Sequence, residues 1–104
     1  MTVIEKGEIN LYQKIIYFDD GSITLLYISK GSDDVIALKT SGLSLSKPRQ
    51  SRMDILAKML MDNKAVYDKY KANGKFTFKQ IRNIVHLYNT GHPLMNHWMV
   101  SQGL

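Results

Sequence analysis

Residues 76–89, FTFKQIRNIVHLYN, restrict the fold more than any other stretch of this chain. Thr77 with Gln80 three residues on forms a capping box, in which each side chain answers an unpaired backbone N–H at a helix start. Phe76 before the cap and Ile81 in the first turn are placed for a hydrophobic staple. Ile81, Ile84, Val85 and Tyr88 recur at i, i+3, i+4 and i+7, so they line one helical face. Lys79, Arg82, Asn83, His86 and Asn89 fall mostly on the other. Such a helix needs a second layer to cover its apolar row.

The N-terminal half supplies that layer. Ile9–Phe18, rich in β-branched and aromatic residues, reads as a long strand. Asp19-Asp20-Gly21-Ser22 is a turn whose Asp-Gly pair suits backbone angles with φ > 0. Ile23–Ser29 returns, residues 30–34 turn again, and Val35–Lys39 makes a shorter third strand. The result is an antiparallel meander. Leu11, Ile15 and Tyr17 share one pleat parity, and Tyr12, Ile16 and Phe18 share the other. With both faces partly apolar, one packs on helices and the other is free for a neighbouring domain or a second copy.

Residues 40–50 form a polar connection with Gly42 and Pro48, short enough to join two layers of one domain. Ser51 with Asp54 gives a weaker cap, and Met53, Ile55, Leu56, Met59 and Leu60 outline a first helix. Asp62-Asn63 interrupts it, Ala65–Ala72 continues as a second helical segment, and Asn73-Gly74 stops that one. Gly91 and Pro93 close the third helix. The fold class expected is α+β: a three-stranded antiparallel β-meander followed by two or three α-helices packed on one face. Residues 1–104 form a single domain, with the meander in 1–46, a helical layer in 47–91 and a tail in 92–104. The expected core is Leu11, Ile15, Leu25, Tyr27, Ile36, Leu38, Leu56, Met59, Leu60, Val66, Tyr70, Ile81, Ile84, Val85 and Tyr88.

At 104 residues, 44% hydrophobic and with only 2 prolines, the chain suits one globular domain with a modest core. It has no cysteine, which excludes disulfides, thiolate metal sites and cysteine nucleophiles. Residues 1–6 lack the basic start and apolar run of a signal peptide, and no stretch approaches a membrane span, so a soluble protein is expected. The net charge of +5 divides unevenly. Residues 1–46 carry four lysines against six carboxylates, and residues 47–104 carry ten Lys and Arg against three Asp, giving −2 and +7. A basic half of this kind is usually a solvated helical surface, and it can also attract nucleic acid or an acidic partner.

Chemistry finds little to work with. His92 and His97 are five apart, off the spacing that sets two ligands on one helical face, with no carboxylate near in sequence. His86 reads as a polar-face residue. Asp19-Asp20 and Asp33-Asp34 are turn residues, because adjacent carboxylates in a wet turn point apart and cannot flank a substrate. Neither a G-x-S-x-G elbow nor a glycine-rich phosphate loop is present. No catalytic, cofactor-binding or metal-binding residues and no cofactor are assigned.

Two binding readings follow. In the first, the chain is a non-catalytic interaction module with a protein partner or self-association. It would bind through the uncovered sheet face or through Leu94, Met95, Trp98 and Met99 of the tail. In the second, it is a small basic nucleic-acid-binding protein using helix 77–89 and the KPRQSR segment. Arg49, Arg52, Lys79, Gln80, Arg82, Asn83 and His86 would make the contacts, since Arg, Gln and Asn can read base edges.

One pattern runs through most of the chain. A strand opening with Gly7, Leu11 and Tyr12 is followed by a strand ending in Lys30-Gly31, then a Lys-rich helical pair closing on Tyr88-Asn89. Over about residues 5–91 this resembles the C-terminal region of uncharacterised exported proteins of Bacteroidetes. The resemblance implies an extracytoplasmic setting, in the periplasm or at the cell surface, and carries no function. A cytoplasmic setting follows instead if Met1 is the natural start.

Overall fold

The computed structural model describes residues 1–42 and 45–94. Four strands, β1 (Thr2–Glu5), β2 (Ile9–Phe18), β3 (Gly21–Lys30) and β4 (Ile36–Thr40), precede three helices. These are α1 (Arg49–Leu60), α2 (Lys64–Asn73) and α3 (Phe78–Thr90). The strands pair antiparallel in chain order, β1-β2-β3-β4. The α+β class matches the expectation, and the strand count is corrected from three to four. TVIE is short and is followed by the polar Lys6-Gly7-Glu8, so it gives no periodic signal of its own. It becomes a strand because β2 offers an edge, with Thr2 opposite Gln13 and Val3 opposite Tyr12.

The helices cover one side of the sheet. Ile9 and Leu11 of β2, Leu26 and Ile28 of β3, and Leu38 of β4 are buried against Leu56, Leu60, Val66, Tyr70, Phe76, Ile81, Ile84 and Val85. The staple expected of Phe76 and Ile81 is in place, with both residues buried. Thr77 Oγ1 accepts from Gln80 N at 3.1 Å, so the N-cap forms. The reciprocal half of the box does not, because Gln80 Oε1 instead accepts from Asn73 Nδ2. Gly74 and Gly91, with φ of 69° and 77°, end α2 and α3 in the left-handed conformation that glycine adopts cheaply.

Several expectations are revised. Ser51 does not cap α1; the helix starts two residues earlier, after Pro48, whose carbonyl accepts from Arg52 N. Gly21 lies inside β3 and is not among the glycines with positive φ, so the β2–β3 turn runs through Asp19-Asp20 alone. Ile15 is 39% exposed, not core, because the hairpin runs past the end of the helical layer. Tyr27 faces away from the helices and is half-buried. In its place Leu26, one residue earlier, points inward, paired with Gln13. Leu25 is buried on the far side of the sheet. Ile36, Met59 and Tyr88 are half-buried and pack around the core rather than within it.

Candidate functional site

Which backbone groups of β2 are already paired can be read from its neighbours. Glu8 O accepts from Gly31 N at 2.9 Å, so even-numbered residues of β2 direct their N–H and C=O towards β3. Thr24, opposite Ile15, spends its groups on the β4 side: Ser41 N donates to its carbonyl at 3.1 Å, and its own N–H donates to Ser41 Oγ at 2.9 Å. Ile9, Leu11, Gln13, Ile15 and Tyr17 therefore turn their backbone groups outward, to the β1 edge.

Each outward position has a different fate. Leu11 and Gln13 face β1. Beyond the end of β1, the side chain of Asn89 takes the place of a strand residue: its Oδ1 accepts from Ile9 N at 3.0 Å and its Nδ2 donates to Ile9 O at 2.7 Å. Gly7 makes room for it, since a Cβ there would stand 2.5 Å from Asn89 Cγ. At the other end β1 begins at Thr2, opposite Gln13. Ile15 and Tyr17 are the two outward residues of β2 without a partner strand among the described residues.

The projecting hairpin is apolar. Tyr17 is 76% and Phe18 53% exposed. On the side of the sheet away from the helices, Val3, Tyr12, Ile16, Phe18, Ile23, Leu25, Tyr27 and Ala37 share one surface, fixed by the pairs Val3–Tyr12, Tyr12–Tyr27 and Ile16–Ile23. No described helix covers it. Tyr12 OH and Ser29 Oγ lie 3.3 Å apart on it.

The polar residues on the helical side mostly hold the layers together. Glu5, nearly buried, bonds Arg82 Nε at 2.8 Å and His86 Nδ1 at 2.7 Å. Tyr88 OH lies 2.6 Å from Glu8 Oε2 and 2.8 Å from Asp62 Oδ1. Burial first, and then these two carboxylates, push the Tyr88 phenol far above its ordinary range. Lys30 donates to Asp62 at 2.9 Å and to Met59 O at 2.7 Å, and sits over the Tyr88 ring. Hydrogen bonds from Lys30 and then Tyr88 hold the Asp62 carboxyl below its usual value. Four residues converge here: Tyr88, Asn89, Lys30 and Gly7 fasten the end of α3 to the start of β2 and the end of β3.

The residues expected to meet nucleic acid are only partly free. Arg82 and His86 are tied to Glu5, and Arg52 donates to Leu38 O at 2.7 Å and Lys47 O at 3.1 Å. Arg49 lies over the Phe76 ring, which Lys39 approaches at 5.5 Å. Burial, and after it the charges of Arg49 and Arg52, lower the Lys39 pKa, and none of these three cations has a carboxylate partner among the described residues. Lys79 is exposed on α3, and Asn83 lies with Leu94 in a groove of about 440 Å³ between α3 and Ile4, Gln13 and Leu26 of the sheet. Met95, Trp98 and Met99 lie outside the described residues, as does His97. Both Asp pairs are exposed, and no cluster of three or more metal-type ligands occurs among the described residues. No described helix is long and apolar enough to cross a membrane.

The signal for the outward edge was present in the sequence as the unbroken run Ile15–Phe18, with neither lysine nor proline to blunt it. No known family model, curated protein or solved structure matches the chain.

Proposed function

We propose that the protein is a non-catalytic interaction module, part of an exported protein, that holds another protein against the open side of its sheet and the projecting β2–β3 hairpin. One observation supports this most: an apolar surface runs from exposed Val3 through half-buried Tyr12 and Tyr27 to exposed Phe18, with no described helix over it, while the other side of the sheet carries three helices. Exposed apolar surface that is contiguous marks a contact site, because leaving it wet is costly and invites unwanted association. Most of the polar groups on the helical side are matched within the chain, as Glu5 is with Arg82 and His86, and Lys30 with Asp62.

A photo-cross-linking amino acid placed at Phe18 or Val3, in cells that make the protein, tests this. Adducts heavier than the chain are expected from both positions, and none from the same probe at Lys69 on the helical surface. Silence at Phe18 and Val3 contradicts the reading.

A second reading, nucleic-acid binding, draws on the convergence of Lys39, Arg49 and Arg52 without a carboxylate among them. It expects a low-salt gel shift with DNA or RNA that fades with salt and is lost in Arg49→Ala/Lys39→Ala. No shift at low salt removes it.

A further inference from the structure

We infer that a second copy of this chain fills the open stretch of the β2 edge, pairing antiparallel through Ile15 and Tyr17 so that two four-stranded sheets become one. This rests on the interaction reading for the projecting hairpin, and adds a second contact at its backbone edge, distinct from the open face.

The backbone argues for it first. Ile15 and Tyr17 each present one outward N–H and one outward C=O, and an antiparallel strand satisfies both. Two identical edges related by a two-fold axis answer each other, and the contact closes without growing into a fibre. Length argues next. The open stretch is bounded by β1 at Gln13 and by the Asp19-Asp20 turn. A long incoming strand runs into β1, whereas a second hairpin is equally short and turns away at the same point.

Charge gives the direction. Lys14 stands at one end of the open stretch and Asp19-Asp20 at the other. With the axis near Tyr17, antiparallel pairing sets Lys14 of each copy beside the acidic turn of the other; parallel pairing would align like charges. Natural sheets normally blunt such an edge with lysine, proline or a bulge, and residues 15–18 carry none. The contact covers Ile15, 39% exposed, and Tyr17, 76% exposed. An interface this small associates weakly, so it depends on concentration.

Sedimentation equilibrium of the full chain reads this directly. The weight-average mass is expected to climb from 11.9 kDa towards twice that between about 10 µM and about 1 mM. Tyr17→Pro removes an N–H with no partner among the described residues, so the hairpin survives and the mass stays at the monomer value. If circular dichroism shows that variant unfolded, Ile15→Lys/Tyr17→Lys serves instead, keeping the donors while charging the edge, and it too stays monomeric. Val3→Lys and Phe18→Lys, on the open side, leave association in place. A wild-type chain that is monomeric throughout overturns self-pairing, as do edge variants that associate like the wild type. Loss of association only in the open-side variants makes the dimer a stacking of faces and overturns the edge. A monomeric chain that still cross-links from Phe18 to a different protein ends this proposal while sparing the interaction reading; a dimer without heavier foreign adducts does the reverse.

Discussion

Asn89 acts as a strand residue supplied by a helix. Its amide presents the carbonyl oxygen and one N–H at the spacing of a peptide unit, and both bond Ile9. Asn89→Ala strands a buried N–H and C=O and is expected to cost about 2–4 kcal/mol in urea unfolding. Gly7→Ala forces a methyl against the same amide and is also destabilising. The two effects are coupled: in the Asn89→Ala background the Gly7→Ala cost falls sharply, which a double-mutant cycle measures. Equal costs in both backgrounds would mean that Gly7 answers to something else. Tyr70 gives a pH test. Its hydroxyl donates to Met53 O at 3.0 Å, and burial, aided by Asp54, pushes its pKa from 10.0 up to about 12. A raised pKa stabilises the fold fully below the unfolded value, and that stability is lost as pH rises from 10 to 12. The unfolding midpoint is expected to fall across this window, less steeply in Tyr70→Phe. Sequence periodicity placed Asn89 only on a polar face, because an amide reaching another element leaves no local pattern; its pairing with Tyr88 in the family resemblance was the sole hint.

Strand β2 shows where sequence reading works and where it stops. Its bounds, Ile9–Phe18, follow from composition, and both turns are marked by Asp and Gly. The inward face of β3 was not legible, since LLYIS is apolar at both parities. Register decides it, setting Ile28 against Leu11 and Leu26 against Gln13. Parity alone puts Ile15 in the core, and parity cannot tell that the helices end before it. Proline scanning separates the two edges of β2. Ile16→Pro removes a bond to β3 and is expected to cost more than about 2 kcal/mol, whereas Tyr17→Pro, on the outward side, costs far less at a concentration where the chain is monomeric. Similar losses at the two positions would contradict the assignment of inward and outward groups.

At the scale of the molecule, the charge division visible in the sequence acquires a structural use. The acidic half and the basic half meet at the seam between sheet and helices in Glu5 with Arg82 and His86, while Lys30 with Asp62 joins the halves in the opposite sense. Part of the basic surface is thereby committed to holding α3 on the sheet, and the opposite side of the sheet carries no described helix. Amide hydrogen exchange along β2, in dilute solution, probes that asymmetry most directly. Ile9, Leu11 and Gln13 should be protected by Asn89 and β1, and Ile16 by β3, while Ile15 and Tyr17 exchange near the rate of an open chain. Ile15 and Tyr17 protected as strongly as Ile16, or Ile9 exchanging freely, would contradict the open edge.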